Sequence, residues 1–124
     1  MSEKNGYARP EPVEGWIDVC SIDDLIPNSG ICALIEQQQV AIFYMPKDKA
    51  VYAINNYDPF SDINVLSRGL IGDLKGEPMV SSPIYKQHFS LKTGICLDDD
   101  KIKIDAYDIR VENSRVEINL GGEK

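Results

Sequence analysis

Apolar positions along this chain fall into short runs divided by turn-forming residues, and no stretch keeps a helical period long enough for a core helix. Trp16-Ile17-Asp18-Val19-Cys20 is the first run. Ser21-Ile22-Asp23-Asp24 fits a capping box with Ser21 as N-cap, which predicts one helical turn over residues 23–26, stopped by Pro27 and Asn28-Ser29-Gly30. Ile31-Cys32-Ala33-Leu34-Ile35 and Val40-Ala41-Ile42-Phe43-Tyr44-Met45 are continuous apolar runs rich in β-branched and aromatic residues. They are too short for buried helices, so both are predicted as strands. Glu36-Gln37-Gln38-Gln39 is the predicted turn between them, Pro46-Lys47-Asp48-Lys49 the next turn, and Ala50-Val51-Tyr52-Ala53-Ile54 a third strand of a meander.

The C-terminal segment alternates strictly. Tyr107, Ile109 and Val111, then Val116, Ile118 and Leu120, are separated by polar residues. With Asn113-Ser114 as a two-residue turn, Glu112 faces Arg115. The same register sets Val111 against Val116, Ile109 against Ile118 and Tyr107 against Leu120. All three apolar pairs then share the buried face of one hairpin.

Many short strands with close turn signals predict an all-β sandwich or barrel. The 124 residues, 43% hydrophobic, are enough for one modest core without staples. Residues 1–13, with Arg9-Pro10-Glu11-Pro12 and no periodicity, read as a flexible N-terminal tail. Residues 14–120 read as a single domain, and residues 121–124 as a frayed end. The stretch from Ser61 to Leu70 reads as mostly loop.

A net charge of -7 and a pI near 4.6 disfavour phosphate backbones and anionic lipid as partners. No apolar run approaches the roughly 20 residues of a membrane span, and the first residues lack the apolar stretch of a signal peptide. The expectation is a cytoplasmic protein. Cys20, Cys32 and Cys96 are far apart and form no C-x-x-C pair, so they are expected to be buried free thiols.

Little in the chain points to chemistry. His88 is the single histidine, beside Phe89 at the expected start of a strand, with no identifiable nucleophile or orienting partner. Asp98-Asp99-Asp100 lacks the alternation and glycine of a calcium loop and reads as solvated. Gly69 and Gly72 are isolated, and no phosphate-binding glycine motif occurs. No catalytic constellation emerges.

Two segments carry a family resemblance: Ala53-Ile54-Asn55-Asn56-Tyr57-Asp58-Pro59-Phe60, and Ser82-Pro83-Ile84-Tyr85-Lys86-Gln87-His88-Phe89-Ser90-Leu91-Lys92-Thr93-Gly94. They resemble the cluster loops of Rieske proteins, C-P-H and C-P-x-H-G followed by F-D-x-x-T-G. The prolines, Phe89 and Thr93-Gly94 match; the ligands do not. Asp58 and Phe60 stand in the first cysteine and histidine positions, and Ser82 and Tyr85 in the second. Three of these offer only oxygen, Phe60 has no lone pair, and His88 is three positions out of register. D-P-F with S-P-x-Y-K-Q-H-F, together with residues 61–69, the Asp73 region and Cys96-Leu97-Asp98-Asp99, resembles the small-subunit family of NAD(P)H-dependent assimilatory nitrite reductases.

The resemblance implies a Rieske-like fold with a base domain and a cluster-loop subdomain over about residues 55–97, the two loops side by side at its tip. It implies a large subunit holding FAD, [4Fe–4S] and sirohaem that reduces nitrite to ammonium in nitrate assimilation. This chain is expected to hold no cofactor, metal or catalytic residue. Phe60 and Tyr85 are expected to fill the space a cluster would take. Asp58, Phe60, Tyr85, Lys86 and His88 are candidate contacts to the partner. The alternative is a free-standing Rieske-like interaction module for another oxidoreductase.

Overall fold

The computed structural model describes residues 15–121. The expected N-terminal tail and residues 122–124 lie outside them. Eleven strands are formed among the described residues: β1 Trp16–Ser21, β2 Ser29–Ile35, β3 Gln38–Met45, β4 Ala50–Asn55, β5 Tyr57–Asp58, β6 Ile63–Asn64, β7 Leu70–Leu74, β8 Glu77–Ser81, β9 His88–Ser90, β10 Ala106–Glu112 and β11 Arg115–Asn119. Three short 3-10 turns join them, and every strand pair is antiparallel. Six strands form one sheet in the order β1-β11-β10-β4-β3-β2. Inserted between β4 and β10 are the β5-β6 pair and the sheet β7-β8-β9.

The apolar run of β3 is continuous because both its faces are buried. Val40 and Ile42 point into one core with Leu25, Ile35, Ala53, Tyr107, Val116 and Ile118. Ala41 and Phe43 point into a second core with Ile54 and with Leu66, Val80, Phe89, Leu91, Cys96 and Ile104 of the inserted segment. A strand covered on both sides loses the alternation of a half-buried one. The neighbouring edge strand β2 is different. Ile35 is buried, whereas Cys32 is exposed and Leu34 is 74% exposed. Cys32 is therefore not the buried thiol its apolar surroundings predict, and Cys20 is half-buried; Cys96 alone of the three is buried.

Turn chemistry fixes the hairpins. Ser21 makes the expected capping box with Asp24, but the turn is Ile22–Asp24, one residue earlier than expected and tighter. The β2-β3 turn is only Glu36-Gln37, both with positive φ (49° and 70°), so Gln38 pairs with Ile35 and Gln39 with Leu34. The C-terminal hairpin keeps the predicted register: Glu112 faces Arg115, Val111 faces Val116 and Ile109 faces Ile118. The third pair does not form within the strands. The ladder ends at Asp108–Asn119, and Gly121 N–H donates to Asn119 Oδ1 at 2.8 Å as the chain turns away. Tyr107 instead pairs with Ala53 of β4, and its hydroxyl donates to Gln38 Oε1 at 2.9 Å.

The opposite face of this hairpin holds a polar surprise. Glu117, 4% exposed, accepts from Arg110 Nε and Nη2 at 2.8 Å each. The Arg110 guanidinium lies 4.2 Å from the Trp16 ring centroid. Arg110 thus satisfies a buried carboxylate while stacking on an aromatic face.

In the turn Asn113-Ser114 both residues are left-handed, with φ of 53° and 67°. A side chain at Ser114 opposes that conformation, and glycine removes the penalty. Ser114→Gly is expected to stabilise the fold by about 1 kcal/mol, raising Tm by a few degrees in a thermal melt.

Candidate functional site

The two loops singled out in the sequence meet directly. Asp58 ends β5 and Ser82 follows β8; both are fully buried. Ser82 Oγ donates to Asp58 Oδ2 at 2.5 Å. The same oxygen accepts from Ser61 Oγ at 3.0 Å, and Oδ1 accepts from Phe60 N–H at 2.9 Å. Asp58 also offers its carbonyl to Asp62 N–H at 2.8 Å, closing the first loop. Ser82 closes the second: its N–H donates to the Gln87 carbonyl at 2.9 Å, its carbonyl accepts from Lys86 N–H at 3.1 Å, and its Oγ accepts from Ile84 N–H at 3.2 Å. Left-handed Lys86, φ 69°, turns this loop back into β9.

The other two positions diverge. Phe60 turns inward and packs on the second core, its ring 6.1 Å from that of Phe89. Tyr85 turns outward and is 59% exposed, so it does not fill the space as expected. The reason is local: Ser82 holds the backbone on both sides of it, and Phe60 already covers Phe89. Of the expected partner contacts, Tyr85 and Lys86 are exposed, Phe60 and His88 half-buried, and Asp58 is sealed beneath them.

A family model described as a Rieske-like [2Fe-2S] domain matches residues 15–119. The NADH nitrite reductase small subunit of Escherichia coli K12 is 45% identical over 103 residues, covering 83% of this chain and 95% of that protein. The chain belongs to the nitrite reductase small-subunit family. The NMR structure of the E. coli small subunit NirD superposes with a TM-score of 0.78 at 44% identity, covering 86% of this chain and 96% of that one. A nitrite reductase large subunit of Klebsiella oxytoca is 40% identical over 105 residues, which are 85% of this chain and 11% of that longer protein. The fold is thus Rieske-like and all-β, as the loop motifs implied.

The Rieske-like fold raises the question of a [2Fe–2S] centre, which takes two thiolates and two imidazoles. This small-subunit chain presents a carboxylate, a hydroxyl, a phenyl ring and an exposed phenol at those four positions. The carboxylate and hydroxyl oxygens are in direct contact, leaving no room for iron between them. Among the described residues no group of three or more His, Cys, Asp or Glu is arranged to hold a metal. Cys96 is committed to the second core. The residues do not fit the cluster.

His88 has a partner that sequence reading missed. Its N–H donates to Asp98 Oδ2 at 2.7 Å, and its Nδ1 lies 3.0 Å from the same oxygen. Asp98 therefore belongs to this tip rather than to a free acidic loop, and it fixes the Nδ1–H tautomer. The only available signal was the ten-residue spacing across the Thr93-Gly94 turn. Gly94 is needed there, with φ 78° and the Ile104 carbonyl oxygen 2.0 Å from where a Cβ would stand. Asn56 was also missed. Buried, it accepts from Ser67 N–H at 2.6 Å and donates to Gln39 Oε1 at 3.1 Å, tying the inserted segment to β3.

The Asp98 carboxyl is held below its ordinary value, first by the His88 backbone N–H, opposed by partial burial, and then by the His88 ring. Its folded pKa is depressed, so its contribution to stability is present above the unfolded value near 3.8 and is lost as pH falls through the folded one. Because the backbone donor dominates, His88→Ala is expected to leave the Asp98 pKa below 3.8, as read by a carbon-13 NMR titration. A return to the unperturbed value would show the ring to be the cause.

Proposed function

We propose that this chain is the non-catalytic small subunit of an NAD(P)H-dependent nitrite reductase, docked on a large subunit that it supports, and that it carries no [2Fe–2S] cluster of its own. The observation that carries the reading is the Klebsiella large subunit, which contains a domain 40% identical to this chain within its own polypeptide. A domain found both as a separate small subunit and inside the large chain fits one that works in contact with it. The same observation favours this reading over a free-standing module for another oxidoreductase. In this account FAD, [4Fe–4S] and sirohaem sit in the large subunit, nitrite is reduced to ammonium there for nitrate assimilation, and the assembly is cytoplasmic.

The tip is the proposed contact surface. Tyr57 and Ile63 beside Asp58 in the first loop, and Ile84 and Tyr85 after Ser82 in the second, are exposed by 36–59%, and the Asp58–Ser82 bond joins the two loops. Aromatic and apolar side chains held out on a fixed backbone are the usual anchors of an interface. Asp58 and Phe60 act from beneath, by shaping the loops. A stable interface buries on the order of 1,200 Å² or more, so adjoining strands must contribute.

Co-purification with the large subunit tests both statements. Wild-type chain is expected to assemble; failure to do so would remove the subunit reading. Tyr85→Ala and Lys86→Glu are expected to keep the wild-type Tm and weaken assembly about tenfold or more each, since anchors typically contribute over 1 kcal/mol. Normal assembly of both variants would move the docking surface elsewhere. Iron and sulfide analysis of the folded chain is expected to find substantially none, and two irons per chain would overturn the cluster-free statement.

A further inference from the structure

A Rieske centre is a mechanical part as well as a redox one, because four ligands from two loops close on one inorganic unit. The two inner positions here hold Asp58 and Ser82. Both are fully buried, and they join the loops through the one side-chain bond described between them. Asp58 collects donors from both sides of the gap: Phe60 N–H and Ser61 Oγ from its own loop, Ser82 Oγ from the other. Ser82 Oγ in turn accepts from Ile84 N–H. Hydrogen bonds thus run unbroken from the backbone of the second loop, through one hydroxyl, to a carboxylate that grips the backbone of the first. In such a chain each bond polarises the next, and a hydroxyl on a carboxylate is the strong kind.

The same device recurs at the other end of the inserted sheet. Ser90 Oγ donates to Glu77 and accepts from Lys92 and Thr93 N–H at 3.2 Å each. There too a serine gathers turn amides and donates a hydrogen bond to a carboxylate across strands β8 and β9.

We propose that the Asp58–Ser82 pair is a metal-free replacement for the cluster's cross-link, locking the two loops in their paired arrangement without iron. The inference concerns this chain alone and does not depend on docking.

Thermal melts and amide hydrogen exchange on the full chain test it, using Ser82→Ala, Asp58→Asn and the double variant. Each single change is expected to lower Tm by several degrees, and the double variant to fall no further than the worse single, because both break one coupled unit. In Ser82→Ala the Phe60 and Ile84 amides are expected to exchange at least tenfold faster, while those of Ile42 and Ala53 in the central sheet keep their wild-type rates. Wild-type chain from iron-depleted and iron-replete cells is expected to melt identically. Additive losses in the double variant, unchanged exchange at Phe60 and Ile84, or a higher Tm with bound iron would each overturn the proposal. Ser82→Ala removes one small hydroxyl, so it keeps the exchange measurement available if Asp58→Asn does not fold.

Discussion

A carboxylate sealed from water must be supplied with donors, since a bare buried charge costs far more than a small domain can offset. Asp58 imposes that condition on everything around it. Its need for Phe60 N–H curls the first loop so that the Phe60 ring turns down onto Phe89. Its need for the Ser82 hydroxyl brings the second loop alongside, and Ser82 then takes Ile84 N–H, which leaves the Ile84 and Tyr85 side chains facing out. The shape of the tip, apolar outside and polar within, follows from satisfying one buried group.

That condition reaches the base sheet because the inserted segment has no core to itself. Phe89, Val80, Leu66 and Leu91 share their core with Ala41, Phe43 and Ile54 of β3 and β4. Asn56 adds a polar tie, binding the backbone of Ser67 on one side and the side chain of Gln39 on the other. Protein interiors are packed closely enough that a shift of Phe60 or Phe89 would be felt at Phe43. The tip is a projection of the central sheet, held through a core that the two share.

Several strands and hairpins were legible where the information was local, although the β7-β8 hairpin across Lys75-Gly76 was not anticipated. The C-terminal register could be read because Asn113-Ser114 and the alternation on either side agree, and both lie within a dozen residues. For a continuous apolar run, burial was legible only where the sheet has two covered faces: the run of β3 meant what it suggested, whereas the similar run of β2 sits at an edge and leaves Leu34 exposed. Buried polar groups were not legible at all. Glu117 is met by Arg110 of the adjacent strand, itself stacked on Trp16 of β1, and Asp58 by a serine 24 residues away. The loop motifs singled out four positions as if they were equivalent, whereas the structure buries Asp58 and Ser82 together, turns Phe60 inward and leaves Tyr85 exposed.

The split between those four positions has a physical logic. Those matching the family's cysteines lie inside, where a side chain must be small and must find a hydrogen bond; aspartate and serine meet both demands, and they meet them with each other. Those matching its histidines lie toward the surface, where neither demand applies, so a phenylalanine can fold back onto the core and a tyrosine can reach outward. A loop pair whose cross-link sits in its inner positions leaves its outer positions free for other contacts. With hard oxygens inside, Phe60 folded onto the core and only Tyr85 reaching outward, the four positions offer no donor set for a cluster. Under the proposed docking, what this tip would offer a large subunit is a preformed surface, and its contribution to nitrite reduction would lie in how it seats against that subunit.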